Sequence, residues 1–544
     1  MFGASPHREM HPHAGRRTRG LRGLRGAALL LAGLACLAGR PGPATAEGGT
    51  LKFVPHAGLR VLDPVWTTAY ISRNHGYMIY DQLFAVDSTL RPQPQMVDKW
   101  SMSADGLTYS FTLRAGLKWH DGAPVTARDC VASIRRWAAR DPLGGKLFAF
   151  SSSLEAKDAR TFELKLKEPF GLVLEALAKT SGNPLFMMPE RVALTDPQKQ
   201  IEDYTGSGPF KFVKEEFKPG DRAVYVKFGD YVPRAEPPNG LAGGKRVNLE
   251  RVEWVYLPDQ NTAVAALNSG EIDIDEAPPV DLLPILKANP KIQVQVFDPL
   301  GFQGALRFNH LTPPFNNPKM RQAVYFMIGQ ADVMRLTVGD PQFMRTCASM
   351  FMCDTPYATD AGAEGIRQDF DKAKRLLGEA GYAGEKVVLI DPTDLFVLHA
   401  MVGGVGPMLR KGGLNVEVQA MDWSTALTRR VEKKPASEGG WNVFVTAWSA
   451  VDLVSPLTNG NLNALCEKGN YGWYCDPKLT EMQDRWSRMA DPARAKALAA
   501  DIHREAYASG AYVPLGQYQQ PGAFRGITGI VPAPVPVFWN LKKQ

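Results

Sequence analysis

Four cysteines are the residues whose type and spacing most directly suggest chemistry. Cys347 lies close to Cys353 in one loop-like stretch, and Cys466 lies close to Cys475 in another. In an oxidising compartment such pairs are expected to form two local disulfides, with free thiols or a different pairing as the alternatives. Zinc binding is disfavoured because the pairs lack the spacing of zinc knuckles and no histidines accompany them. We expect Cys130 to be a buried free thiol.

No catalytic constellation stands out in the sequence. The linear motifs of α/β-hydrolases, zinc metalloproteases and P-loop nucleotide-binding proteins are absent. The histidines that follow residue 46 are not spaced as metal ligands; they are His56, His75, His120, His310, His399 and His503. We therefore expect a protein that is not an enzyme and holds neither a metal nor another cofactor. A triad assembled in space leaves no linear motif, so a hydrolase remains the alternative.

The elements that must position the functional residues are predicted from hydrophobic periodicity. Strand and helix patterns alternate along the chain, which predicts an α/β protein. Apolar and polar side chains alternate over residues 107–113, which predicts a half-buried strand. Thr126 is placed as the N-cap of the next helix, and Asp129 is positioned to reach back to the cap. Residues 318–338 are expected to form one amphipathic helix.

The first 46 residues have the three-part pattern of a secretory signal peptide. A basic region precedes an apolar run over residues 27–38, and the small residues Ala44, Thr45 and Ala46 follow. We expect cleavage after Ala46 and export to the periplasm. Cys36 raises a lipoprotein alternative, and the paired arginines at 16 and 17 raise a twin-arginine alternative. The residues around both features favour ordinary export.

The positive charge of the chain is concentrated in this leader. Residues 1–46 contain seven arginines and one glutamate, so most of the formal net charge of +7 leaves with the leader. The remaining chain is close to neutral. Its charge therefore gives no support for nucleic-acid binding.

Residues 91–145 contain an ordered set of aromatic, acidic and glycine positions. In chain order these are Trp100, Ser103, Asp105, Gly106, Tyr109, Phe111, Leu113, Arg114, Trp119, Asp121, Gly122, Pro124, Ala127 and Asp129. This set resembles the signature of solute-binding family 5, the dipeptide- and oligopeptide-binding proteins of ABC importers. Further landmarks of the same family recur along the chain, so the resemblance covers nearly all of residues 50–540.

The resemblance implies a two-lobed α/β periplasmic binding protein of the large three-domain type, with a hinge and an interlobe cleft. Two chain crossings, near residues 300 and 517, would form the hinge. The implied parts are the signal peptide (1–46), domain I (47–84, 201–302 and 516–544), domain II (85–200) and domain III (303–515).

The resemblance also selects residues that would contact a ligand. One segment, at the junction of the lobes, contains Trp66, Thr67, Thr68, Ala69 and Tyr70. Its tryptophan and tyrosine would supply broad apolar walls with polar edges. The alternative is that this segment packs against the following helix.

A second segment, residues 446–456, contains Trp448, Ser449 and Asp452. In peptide-binding relatives an aspartate three residues after the tryptophan pairs with the α-ammonium group of the peptide, which is a strong orienting contact in a dry cleft. Here Val451 occupies that position and the acid follows one residue later. Asp452 is therefore expected either to bind ligand from a bulged loop or to cap the next turn.

For other charged and aromatic residues near the implied cleft, ligand contact is weighed against a structural role. Arg307 would meet a ligand carboxylate, or it would form an interdomain salt bridge. Trp423 and Trp441 are further aromatic candidates for ligand contact, with packing in the core as the favoured interpretation. Arg429 and Arg430 are expected on a solvated helix face.

The function implied by the resemblance is that of a periplasmic receptor. It would act as a monomer, capture a small solute, by default a short peptide, and deliver it to an ABC permease in the inner membrane. An opine-like conjugate, an oligosaccharide or a metal chelate are alternative ligands, and the displaced aspartate keeps them open. Alternatives of another class are a peptide hydrolase and a sensory or chaperone-like protein with the same fold.

Overall fold

The structure is a computed structural model that describes residues 49–489 and 491–544. The predicted signal peptide, with its cleavage point after Ala46 and with Cys36, lies outside the described residues. Within them, no helix is both long enough and apolar enough to cross a membrane.

The strands are short and are distributed over the whole described chain. In chain order they are β1 (Thr50–Val54), β2 (Phe84–Val86), β3 (Pro92–Pro94), β4 (Val97–Met102), β5 (Thr108–Leu113), β6 (Ser151–Ala156), β7 (Thr161–Leu166), β8 (Phe210–Phe212), β9 (Arg222–Lys227), β10 (Arg251–Val255), β11 (Ile274–Asp275), β12 (Ile292–Val296), β13 (Phe302–Phe308), β14 (Met344–Arg345), β15 (Lys386–Pro392), β16 (Asn415–Met421), β17 (Val443–Ser449), β18 (Tyr512–Tyr518), β19 (Pro521–Arg525), β20 (Ile527–Thr528) and β21 (Lys542–Lys543).

The helices alternate with these strands. They are α1 (Tyr70–Ile79), α2 (Ala127–Ala138), α3 (Pro142–Phe150), α4 (Val173–Leu177), α5 (Glu190–Ala193), α6 (Gln260–Ser269), α7 (Leu283–Lys287), α8 (Pro318–Tyr325), α9 (Gln330–Thr337), α10 (Phe370–Glu379), α11 (Phe396–Lys411), α12 (Trp423–Arg429), α13 (Pro477–Ser487) and α14 (Pro492–Ser509).

Local predictions succeed where short-range chemistry decides the structure. Strand β5 has the expected alternation of buried and partly exposed side chains. Helix α2 begins with the expected capping box, in which Thr126 accepts from the Asp129 backbone and the Asp129 carboxylate accepts from the Thr126 backbone. The single helix expected over residues 318–338 is wrong. It is split into α8 and α9 by residues 326–329, because the extended backbone at Gly329 interrupts the helical path.

Two large sheets divide the molecule into lobes. A seven-stranded sheet has the order β12-β19-β11-β1-β10-β9-β8, and together with the four-stranded sheet β4-β5-β7-β6 it forms the first lobe. The six-stranded sheet β14-β18-β13-β17-β15-β16 forms the second lobe. Each lobe surrounds its own main hydrophobic cluster.

The chain passes between the two large sheets at two adjacent places. One passage, residues 297–301, joins β12 to β13, and the other, residues 519–520, joins β18 to β19. Gly301 has a positive φ of 69°, and a side chain there would overlap the carbonyl oxygen of Tyr518. A glycine is therefore required where the two passages touch. The division into three domains with the bounds given above remains a prediction.

Candidate functional site

A cavity of about 600 Å³ lies between the lobes. The first lobe contributes the ends of β1 and β11 and the start of α1. The second lobe contributes Phe302 of β13, the start of α11, helix α12 and the end of β17. Clefts of this size that are lined by side chains from two lobes are typical sites for small solutes.

Aromatic rings form the middle of the cavity wall. The rings of Phe302 and Tyr518 are stacked with centroids 5.5 Å apart, and Tyr70 approaches Phe302 at 6.3 Å. Trp448 lines the same cavity. These rings offer apolar surface to a ligand, and the tyrosines add polar edges.

The structure divides the predicted segment 66–70 into two parts. Thr68, Ala69 and Tyr70 line the cavity. Trp66 points elsewhere, since its indole N–H donates to the carbonyl of Gln198 at 3.0 Å. Thr67 is engaged in a local turn, in which its hydroxyl accepts from the Ala69 backbone. Ligand contact by the three cavity-lining residues stays a prediction.

Tyr70 joins the two lobes. Its hydroxyl donates to Oδ2 of Asp452 at 2.8 Å and accepts from the backbone N–H of Ser449 at 2.7 Å. The guanidinium of Arg73 lies 4.2 Å from the centre of its ring. Burial, followed by the charge of Asp452, raises the pKa of Tyr70 well above its ordinary value, so the hydroxyl remains a donor.

Asp452 is almost fully buried, with 1% exposure, and lies in a short 3₁₀ turn after β17. Its Oδ2 also accepts from the hydroxyl of Ser181, at 2.9 Å. Burial raises its pKa, and Lys179 and the Tyr70 hydrogen bond oppose this effect. Asp452 does not line the main cavity but a second one of about 80 Å³, and Trp448 lines both.

Ser449 takes part in this contact through its backbone alone. Its hydroxyl oxygen is buried and has no hydrogen-bond partner among the described residues. The indole nitrogen of Trp448 is also buried without a partner there. These two groups are uncompensated polar atoms next to the cavity.

Arg307 lies in β13, buried to 6% exposure, and does not line the cavity. Its guanidinium sits 5.6 Å from the centre of the Phe444 ring. Among the described residues it forms no salt bridge, so the alternative interdomain ion pair is not seen. Burial, followed by the charge of Arg430, lowers the pKa of Arg307 to about 9.

The acidic residues at the first-lobe end of the cavity were missed by the sequence reasoning. Glu276 accepts from the backbone and from the ring of His56, both at 2.8 Å. Asp275 is 3% exposed, lines the cavity, and has its Oδ2 buried without a partner among the described residues. Burial raises the pKa of Asp275 to about 7. A carboxylate at the end of a short strand gives little sequence signal.

Arg430 and Trp423 correct two further expectations. Both line the cavity, so Arg430 is not on a solvated face and Trp423 is not confined to the core. Arg430 ends helix α12 and stacks over Tyr471, with 4.7 Å to the ring centre. Tyr471 comes from a distant loop, so no local sequence pattern signals this contact.

The two predicted disulfides are confirmed. Cys347 is bonded to Cys353 and Cys466 to Cys475, while Cys130 is a buried free thiol, as expected. The second disulfide closes the loop that carries Tyr471. It therefore holds the loop whose Tyr471 packs on Arg430.

Comparison with known proteins identifies the family. The model for the bacterial extracellular solute-binding proteins of family 5 matches residues 91–471. The chain belongs to this family. The family and the two-lobed fold expected from the sequence are thereby confirmed, and the function is that of a solute-binding protein.

Curated family 5 relatives cover most of the chain. The probable peptide ABC transporter periplasmic-binding protein y4tO of Sinorhizobium fredii is 40% identical over 490 residues, which is 89% of this chain and 92% of that protein. The glutathione-binding protein GsiB of Pectobacterium atrosepticum is 28% identical over 72% of each chain.

Solved structures of other binding proteins share the fold of this family 5 protein. AgaA from Agrobacterium tumefaciens R10, in complex with agropinic acid, has a TM-score of 0.76 at 22% identity, covering 91% of this chain and 99% of that one. DppA from Helicobacter pylori, in complex with the peptide STSA, has a TM-score of 0.77 at 22% identity, covering 91% and 98%. At this identity they establish the fold and leave the ligand open.

Proposed function

We propose that this protein is the periplasmic receptor of an ABC importer, which captures a short peptide between its lobes and delivers it to a permease in the inner membrane. The observation that carries the proposal is the cavity of about 600 Å³ between the lobes, whose lining combines aromatic rings with the carboxylates of Asp275 and Glu276 and the guanidinium of Arg430. A zwitterionic chain of a few residues matches that distribution of groups. The relative at 40% identity supports the same ligand class.

The same proposal places the mature protein in the periplasm as a monomer, after cleavage of the leader behind Ala46. The leader pattern in residues 1–46 supports this location. N-terminal sequencing of the exported protein tests the cleavage point, and light scattering tests the monomer.

A non-peptide amino-acid conjugate is the second candidate ligand. The observation that favours it is the engagement of one Asp452 oxygen, Oδ2, by both Tyr70 and Ser181 within the protein, which leaves only Oδ1 for an α-ammonium group. The structural likeness to AgaA, which was solved with agropinic acid, is compatible with this candidate.

We propose binding without catalysis. The described cavity-lining residues include no serine or cysteine that either of the two histidines among them, His56 and His399, could activate as a nucleophile. A hydrolase would need an activated nucleophile at this place. Chromatography of peptides after prolonged incubation tests the point, and cleavage products would refute it.

A thermal-shift screen tests the ligand class. A ligand that binds only the folded protein raises the melting temperature by mass action. We expect di- and tripeptides to raise it, and sugars and metal chelates to leave it unchanged. A shift with opine-like conjugates alone would transfer the proposal to the second candidate.

A further inference from the structure

Arg430 is a cation that faces the cavity without an anion. It follows the last turn of α12, and its guanidinium carbon lies 4.7 Å from the centre of the Tyr471 ring and 5.8 Å from the centre of the Trp423 ring. Among the described residues it has no salt bridge and no side-chain hydrogen bond, and its Nε is buried without a partner. Burial lowers its pKa to about 10.

Arg307 adds a second unpaired cation behind the first. It also lacks a salt bridge among the described residues, and the charge of Arg430 is one of the causes that lower its pKa. A side chain at Gly472, next to Tyr471, would contact the Arg307 guanidinium, so one loop approaches both arginines. Buried charges in folded proteins are normally paired, because an unpaired one is costly to desolvate.

The carboxylates around the cavity do not fill this role. Asp394 lies on the same wall, but it accepts from the backbone of Trp423 at 2.6 Å and forms no salt bridge with Arg430. Glu276 is engaged by His56, and Asp275 belongs to the first lobe. The anion that completes the site is therefore expected to come from the ligand.

We propose that Arg430, backed by Arg307 and framed by Trp423 and Tyr471, binds a carboxylate of the solute. This inference rests on the proposed function and deepens it: the receptor would select solutes by a free carboxylate, which in a peptide is the C-terminus. A planar guanidinium that packs on aromatic rings keeps its N–H groups in one plane, which is the arrangement that a carboxylate matches. The ring contacts also fix its orientation before the ligand arrives.

The test compares random-sequence tripeptides prepared as free acids with the same mixture prepared as C-terminal amides, using the melting temperature of the wild type and of R430Q. The matched control is R429Q, since the neighbouring Arg429 donates to the carbonyl of Gly440 and to Gln419 inside the protein. We expect the acids, and not the amides, to stabilise the wild type and R429Q. In R430Q the acids should bind roughly tenfold to hundredfold more weakly.

A non-peptide probe separates this inference from the proposed function. If acids and amides stabilise the wild type equally, the carboxylate site is refuted while a peptide receptor stands. If neither does, the peptide assignment fails, and glutarate becomes the deciding probe. A rise in melting temperature with glutarate that is lost in R430Q supports the carboxylate site, and the absence of any rise in the wild type overturns it. The ligand-free melting temperature of R430Q, equal to or above that of the wild type, shows that the variant is folded.

Discussion

Asp452, which is buried, and Arg430, which is partly exposed, each line a cavity that Trp448 also lines, and the protein treats these two charges in opposite ways. Asp452 adjoins the smaller cavity and receives hydrogen bonds from Tyr70 and Ser181 of the opposite lobe. Arg430 adjoins the larger cavity and has no ionic partner among the described residues. The Asp452 carboxylate, which has hydrogen-bond donors within the protein, holds the lobes together. The Arg430 guanidinium, which has no such partner, is available to a ligand. A charged residue in a cleft is therefore not by itself evidence of ligand contact.

The strongest test of this comparison is Asp452→Ala. The change leaves the hydroxyls of Tyr70 and Ser181 without their acceptor and removes the negative charge near Lys179. We expect it to lower the free energy of unfolding of the ligand-free protein by about 3 kcal/mol. Urea denaturation measures the effect. Asp452→Asn keeps an acceptor and the side-chain volume, so its loss should be smaller, and an unchanged stability in the alanine variant would contradict the linking role.

Asp275 extends the comparison to the acidic end of the cavity and predicts a pH dependence. Burial raises its pKa in the folded protein to about 7, whereas an unfolded aspartate titrates near 4. The folded state therefore holds the proton more tightly. The stability contributed in this way is fully present below about pH 4 and is lost as the pH rises through about 7.

The variant Asp275→Asn isolates this dependence. As the pH rises from about 4 to about 7, the free energy of unfolding of the wild type should fall relative to that of the variant. The fall should be at most about 1.4 kcal/mol per pH unit. Urea denaturation at a series of pH values measures both slopes. Parallel curves for the two proteins would show that Asp275 does not titrate in this range.

At Arg430 we expect a substitution to raise the free energy of unfolding, whereas Asp452→Ala is expected to lower it. Replacement by methionine, in the variant R430M, removes an unpaired cation and keeps a flexible apolar chain between the two rings. We expect the ligand-free protein to gain about 1 kcal/mol in free energy of unfolding, while the carboxylate-dependent binding is lost. Denaturation and calorimetry on the same sample measure both effects. A loss of stability would mean that the arginine is already satisfied.

The sequence predicts the local elements of this protein better than it predicts the site. Strand β5, the capping box at Thr126 and both disulfides depend on residues close in the chain, and all were expected. Tyr70 and Trp448 were expected from family landmarks and line the cavity, while their contact with ligand stays a prediction. Arg430 was assigned to a solvated helix face, because its surroundings come from a distant loop, and no local pattern records that approach.

The split between α8 and α9 has the same explanation. Apolar residues recur at helical spacing through residues 318–338, so periodicity alone favours one helix. The break at residues 326–329 is stabilised by tertiary contacts, in which the Asp369 backbone donates to the carbonyl of Phe326 and Gln368 donates to that of Met327. Long-range hydrogen bonds thus override a local pattern, as they do at the cavity.

The smallest effect is expected at an exposed contact between the lobes. Glu168 and Arg488 form two hydrogen bonds of 3.0 Å each, and both side chains are more than a third exposed. Like Asp452 they connect the two lobes, but water and salt reach them, so the attraction is screened. A double-mutant cycle with E168Q and R488Q, measured by urea denaturation at low and at high sodium chloride, should show a coupling that is weak and disappears with salt. If this pair proved as strong as the Asp452 contact, burial would not be what makes the Asp452 contact strong, and the linking role assigned to Asp452 would lose its physical basis.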